Sequence, residues 1–124
     1  MFYTQIISVA ITAVDIMFLA LFWCIGAFRP GEVAPEITQT WNDAGWLALL
    51  LTVPPFTIWC FAIAASIFGD CSPVPRFPRW IAYFNVWAGI LFLPAAVVLF
   101  FKTGPFSQNG VIAFWIPVVV FFVW

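Results

Sequence analysis

Four apolar, charge-poor blocks at residues 2–28, 44–68, 80–101 and 111–124 dominate this chain and decide what it can fold into. A soluble domain of 124 residues cannot hide so much apolar surface in one core, so the solvent these blocks imply is lipid. Hydrophobic residues reach 65% and charged residues 7%, which leaves little polar surface for water. Three blocks exceed the roughly 20 residues a helix needs to cross a hydrocarbon core of about 30 Å. The fourth would rise only about 21 Å as a helix. The expected fold is all-α: a polytopic membrane protein with four transmembrane helices, the fourth incomplete. Residues 1–124 form one transmembrane helical domain, and the short last helix reads as a fragment of a longer chain. The first block is not a signal peptide, because its apolar run is too long and no Lys or Arg precedes it.

Three connectors separate the blocks. Residues 29–43 are net acidic and open on Arg29-Pro30-Gly31, a helix stop. Asn42 or Asp43 is expected to cap the second helix, with Trp41 and Trp46 at headgroup level. Residues 69–79 read GDCSPVPRFPR, where three prolines enforce an extended path and Arg76 and Arg79 add positive charge. These arginines fix topology and are candidate contacts for anionic lipid headgroups. Residues 102–110 form a short turn with Gly104-Pro105 and Asn109-Gly110. Basic residues nearly balance across the two sides, and the amino terminus beside Arg76 and Arg79 tips the expected orientation to N-inside.

Composition excludes most chemistry. The chain has no histidine, so the commonest metal ligand and near-neutral acid–base group are missing. Of five carboxylates only Asp15 lies inside an apolar block, so no intramembrane carboxylate pair exists to hold metals. No Gly-rich phosphate loop, Ser–His–Asp set or CxxC occurs. Four basic residues cannot form a nucleic-acid surface. Cys24, Cys60 and Cys71 lie too far apart along the expected helices to pair, and Cys24 and Cys60 read as small buried hydrophobes. The expectation is a non-enzyme with no catalytic residue, no metal and no intrinsic cofactor.

One polar stripe stands out. Thr4, Ser8, Thr12 and Asp15 share a face of the first helix, and such a stripe must turn to protein or water rather than lipid. A carboxylate at this depth costs about 2.5–3.5 kcal/mol on translocon scales. The stripe is either a titrating or ligand-holding site or a helix–helix seam in which Asp15 meets Thr52 or Thr57. Pro54-Pro55, Pro94 and Pro117 predict kinks, with Thr52 and Thr57 able to reach freed backbone groups. Aromatic residues make up 21% of the chain and exceed what interfacial belts at Trp23, Trp41, Trp46, Trp80 and Trp124 require. Phe56, Trp59, Phe61, Trp87, Phe92, Phe100 and Phe114 therefore predict a surface for lipid, quinone, pigment or neighbouring helices. Asn85 is expected to bond a nearby backbone group.

The stretches PRWIAYFNVWAGILFLP (residues 78–94) and FFKTGPFSQNGVIAFWIP (residues 100–117), with FRPGE and NDAGW, resemble small polytopic membrane proteins of bacteria that have no assigned activity. The resemblance implies a bacterial inner membrane and brings no catalytic residues. The function expected is a non-catalytic accessory or structural transmembrane subunit of a larger membrane complex. The alternative is a small transporter or permeation protein using Asp15.

Overall fold

The structure is a computed structural model that describes residues 1–107 and 109–124. It is all-helical, with no strand among the described residues. Helix α1 spans Phe2–Ala27, α2 Pro35–Leu51, α3 Val53–Phe68 and α4 Arg79–Phe92. A 3-10 segment, Leu93–Phe100, extends α4; a π turn, Val111–Trp115, leads into α5, Ile116–Val123. Three stretches are long and apolar enough to cross a membrane: Phe2–Ala27, Pro35–Phe68 and Arg79–Phe100. Val111–Val123 is apolar but shorter.

The largest departure from expectation is the start of the second helix. It begins at Pro35, so Asn42 and Asp43 are interior positions rather than caps. The residues PEITQTWND lack the apolar run that marks a span, yet nothing in them opposes a helix once started. Pro35 supplies its fixed φ at the first position, and Glu36 sits favourably at the positive end of the helix dipole. Thr40 Oγ1 donates to the Glu36 carbonyl at 2.8 Å. Hydropathy therefore marked where the apolar sequence starts, about 13 Å further along the helix.

Proline shapes the other elements in three ways. Pro54 and Pro55 have no N–H to donate, and the long helix breaks at Thr52, dividing α2 from α3. Thr52 Oγ1 donates to the Leu49 carbonyl at 2.6 Å, not to the Leu50 or Leu51 carbonyl that the prolines free, and Thr57 Oγ1 has no partner. At Pro94 the helix tightens into the 3-10 segment. Ahead of Pro117 it widens, and the Trp115 amide reaches the Gly110 carbonyl at 3.3 Å.

Helices α3 and α4 pack antiparallel through small residues. Ala62, Ala64, Ala82, Ala88 and Gly89 are all buried, and a methyl group at Gly89 would lie 2.8 Å from the Phe61 ring. Such residues let helix backbones approach closely, which is how helices associate where lipid supplies no hydrophobic drive. Phe56 anchors the main core: its ring centroid lies 4.9 Å from Phe92 of α4 and 4.8 Å from Trp124 after α5.

Helix α1 joins this bundle by one narrow seam. Gln5, Ser8, Thr12, Asp15, Leu19, Phe22 and Gly26 turn inward, at alternating spacings of three and four, while the rest of the helix is exposed. That is the 3.5-residue period of left-handed helix packing. At its far end Phe22 lies 5.9 Å from Trp41 and Trp23 lies 5.4 Å from Trp46. Gly45 makes room there, since a Cβ on it would sit 2.5 Å from Trp23 Nε1. Gly45→Ala is expected to cost about 1–3 kcal/mol by overpacking this joint. Unfolding in mixed micelles would show it; an unchanged midpoint would mean that the indole moves aside freely.

Candidate functional site

The α1 seam is polar at one end and apolar at the other, and its register differs from the expected stripe by one residue at the start. Thr4 is exposed and faces away from the protein, contrary to expectation, and Gln5 occupies the inward position. Gln5 Nε2 donates to Ser66 Oγ at 3.0 Å and to the Ala62 carbonyl at 3.3 Å, tying the first turns of α1 to the end of α3. Ser66 Oγ also donates to the Ala62 carbonyl, at 2.8 Å. The alternation of three and four that continues back from Asp15, Thr12 and Ser8 lands on Gln5, which is the signal that could have found it.

Ser8 and Thr12 are buried and Asp15 is half-buried, so three of the four expected stripe residues do face the protein. Asp15 does not bond Thr52 or Thr57: Thr52 uses its hydrogen on Leu49, and the hydroxyls of Thr12 and Thr57 are both buried without a partner. The Asp15–threonine bond that would make this seam a closed network is therefore not formed.

Beyond Thr12 the seam opens onto a cavity of about 430 Å³. Thr12, Ile16 and Trp23 line it from α1, and Phe114, Trp115, Pro117, Val118, Phe121 and Phe122 from the region of α5. Trp46, Leu49, Leu50, Thr52 and Val53 at the α2–α3 break lie between them, with Phe56 and Phe92 from the core. The walls are almost wholly apolar. Trp46 connects them, 5.4 Å from Trp23 on one side and 5.1 Å from Phe114 on the other, both edge-on. Such edge-to-face contacts favour flat, polarisable neighbours.

Several expected surface aromatics are thus internal. Phe56 and Phe92 are buried in the core, and Trp59 and Phe114 are half-buried, whereas Phe61, Trp87 and Phe100 are exposed. Aromatic count alone could not sort inward from outward positions, because every face of these helices is apolar. Cys24 is also exposed rather than buried; Cys60 is buried, Cys71 exposed, and all three are free.

Asn85 makes the backbone bond expected of it, Nδ2 donating to the Ile81 carbonyl at 2.9 Å. Its Oδ1 also accepts from Trp124 Nε1 at 2.9 Å, a tie between α4 and the residue after α5 that spans 39 positions and has no local signature. No group of three His, Cys, Asp or Glu that could hold a metal occurs among the described residues.

Arg76 and Arg79 are exposed at the end of the bundle that also carries the amino terminus of α1. The loop before them is ordered by Asp70, whose carboxylate accepts from the Ser72 hydroxyl, from the Ser72 amide at 2.9 Å and from the Arg76 amide at 3.4 Å. The Ser72 hydroxyl above all, then the Ser72 amide, holds the Asp70 carboxyl below its ordinary value of 3.8. A depressed carboxyl stabilises the loop above that ordinary value and loses its effect as pH falls through the lowered one. At neutral pH Asp70→Asn is expected to speed tryptic cleavage after Arg76 several-fold, read by timed digestion. Equal rates would mean that the prolines alone hold the loop.

No family model, curated protein or solved structure matches the chain.

Proposed function

We propose that this chain is a non-catalytic accessory transmembrane subunit, held in a bilayer by its three long apolar helical stretches and packed against other subunits. One observation carries the reading. Outside its seven-residue seam, α1 exposes a full-length apolar surface, and only 11% of its most hydrophobic window is buried within the chain. A helix so lightly held by its own protein gains from a neighbour that packs against its free face. Phe61, Trp87 and Phe100 add exposed aromatic area on other helices. With no histidine and a single carboxylate, Asp15, inside its apolar blocks, the chain suits a role that is not chemical. A bacterial inner membrane, with the amino terminus and Arg76 and Arg79 on the inner side, belongs to the same proposal. There the two arginines meet anionic headgroups.

Extraction of the native membrane in mild detergent, followed by native mass spectrometry, tests this reading. Co-migration with a larger particle at fixed stoichiometry is the expected outcome. A partner-free monomer or homo-oligomer would overturn it.

A second reading, a small proton-coupled permeation protein, is favoured by Asp15, half-buried within the seam and not bonded to the threonines at its depth. It is weakened by the cavity, whose walls are apolar and do not include Asp15. Under this reading Asp15→Asn abolishes pH-driven uptake by reconstituted vesicles; undiminished uptake would remove it.

A further inference from the structure

A second groove, of about 480 Å³, lies where the end of α1 meets the start of α2. Its volume falls within the roughly 300–1,000 Å³ of small-molecule sites. Leu21, Ile25 and Arg29 line it at spacings of four, so they follow one face of the chain over roughly 12 Å. Ile37 and Trp41 line it from α2, with Val33 just before that helix. Arg29 is the only charged side chain on the lining, and it follows directly on the apolar block at residues 2–28. It therefore stands where the hydrocarbon layer ends. Its guanidinium lies 6.0 Å from the centroid of the Phe28 ring, and no carboxylate among the described residues pairs with it.

Two carboxylates nevertheless flank this cation. The Glu32 amide donates to the Arg29 carbonyl at 3.3 Å, which puts Glu32 one turn on from Arg29, and Glu36 sits beside Ile37 in the first turn of α2. Both are exposed. The groove, the cation and the carboxylates together define an occupant. An apolar track that descends from the membrane boundary suits an acyl chain. A cation at its head suits a phosphate. The flanking carboxylates repel any further negative charge and attract a positive one beyond the phosphate. Carboxylate oxygens also accept hydrogen bonds, which a primary ammonium donates and a quaternary one cannot.

We propose that this groove binds one zwitterionic phospholipid with a primary ammonium. Its phosphate meets Arg29, its ammonium turns to Glu32 and Glu36, and one acyl chain runs along Leu21 and Ile25. The proposal rests on the membrane placement above but not on the subunit role.

The test uses the full chain, with membrane integration verified first by resistance to alkaline carbonate. Failed binding then counts against the groove and not against the membrane placement. Delipidated protein in mild detergent is titrated with phosphatidylethanolamine, phosphatidylglycerol or diacylglycerol of matched chains, and bound lipid is counted by native mass spectrometry. One phosphatidylethanolamine is expected to bind at lower concentration than either competitor. Arg29→Gln should weaken that binding roughly three- to tenfold, while Lys102→Gln, the same charge change at another exposed position, leaves it unaltered. Glu32→Gln combined with Glu36→Gln should bring phosphatidylglycerol level with phosphatidylethanolamine. Equal binding of the three lipids would overturn the proposal, as would an unchanged titration of Arg29→Gln or a preference that survives the loss of both carboxylates. So would a cross-link in native membranes from Cys24, which lines the groove, to another subunit, because protein would then fill it.

Discussion

Two missing backbone donors, at Pro54 and Pro55, set the arrangement of this bundle. Without them Pro35–Phe68 would run as one helix of 34 residues, about 51 Å long, far beyond the thickness of a bilayer core. Beyond the break at Thr52, Phe56 packs against Phe92 and Trp124, and Thr52 and Val53 line the space between α1 and α5. The core and the cavity thus share an origin. Thr52 gives its hydroxyl hydrogen to the Leu49 carbonyl, so it is not free to meet Asp15 across the seam.

Much of the architecture was legible in the residues because the signal that specifies it, uninterrupted apolar length, is local. The ends of α1, the start of α4 at Arg79 and the short stretch from Val111 all fall within a residue of where hydropathy placed them. What hydropathy could not show is structure in polar sequence. Residues 35–43 continue a helix outside the apolar block, and helix formation there depends on Pro35, Glu36 and Thr40, not on burial. Nor could it distinguish the three fates of proline. Pro54-Pro55, Pro94 and Pro117 accompany a break, a 3-10 stretch and a π turn in similarly apolar sequence.

The candidate site was legible only in its polar part. Ser8, Thr12 and Asp15 announced themselves as polar residues at helical spacing, while Thr4 misled because a spacing of four is as helical as one of three. The 3.5-residue seam, visible once α1 is docked, selects Gln5 instead. The cavity itself had no sequence signature. In a chain this apolar, a Phe on a lipid face and a Phe on a cavity wall look the same, and only the packing of α1, α4 and α5 separates them.

The position of the cavity between α1 and α5 couples two equilibria. Helix α1 is held to the rest by a narrow seam, by Gln5 at one end and by Trp23 against Gly45 at the other. Any molecule in the cavity touches α1 on one side and the remaining bundle on the other. Its binding free energy therefore adds to whatever holds α1 in place, and an α1 that drifts away abolishes the site. Occupancy of that space and the docking of the first helix are in this sense one event.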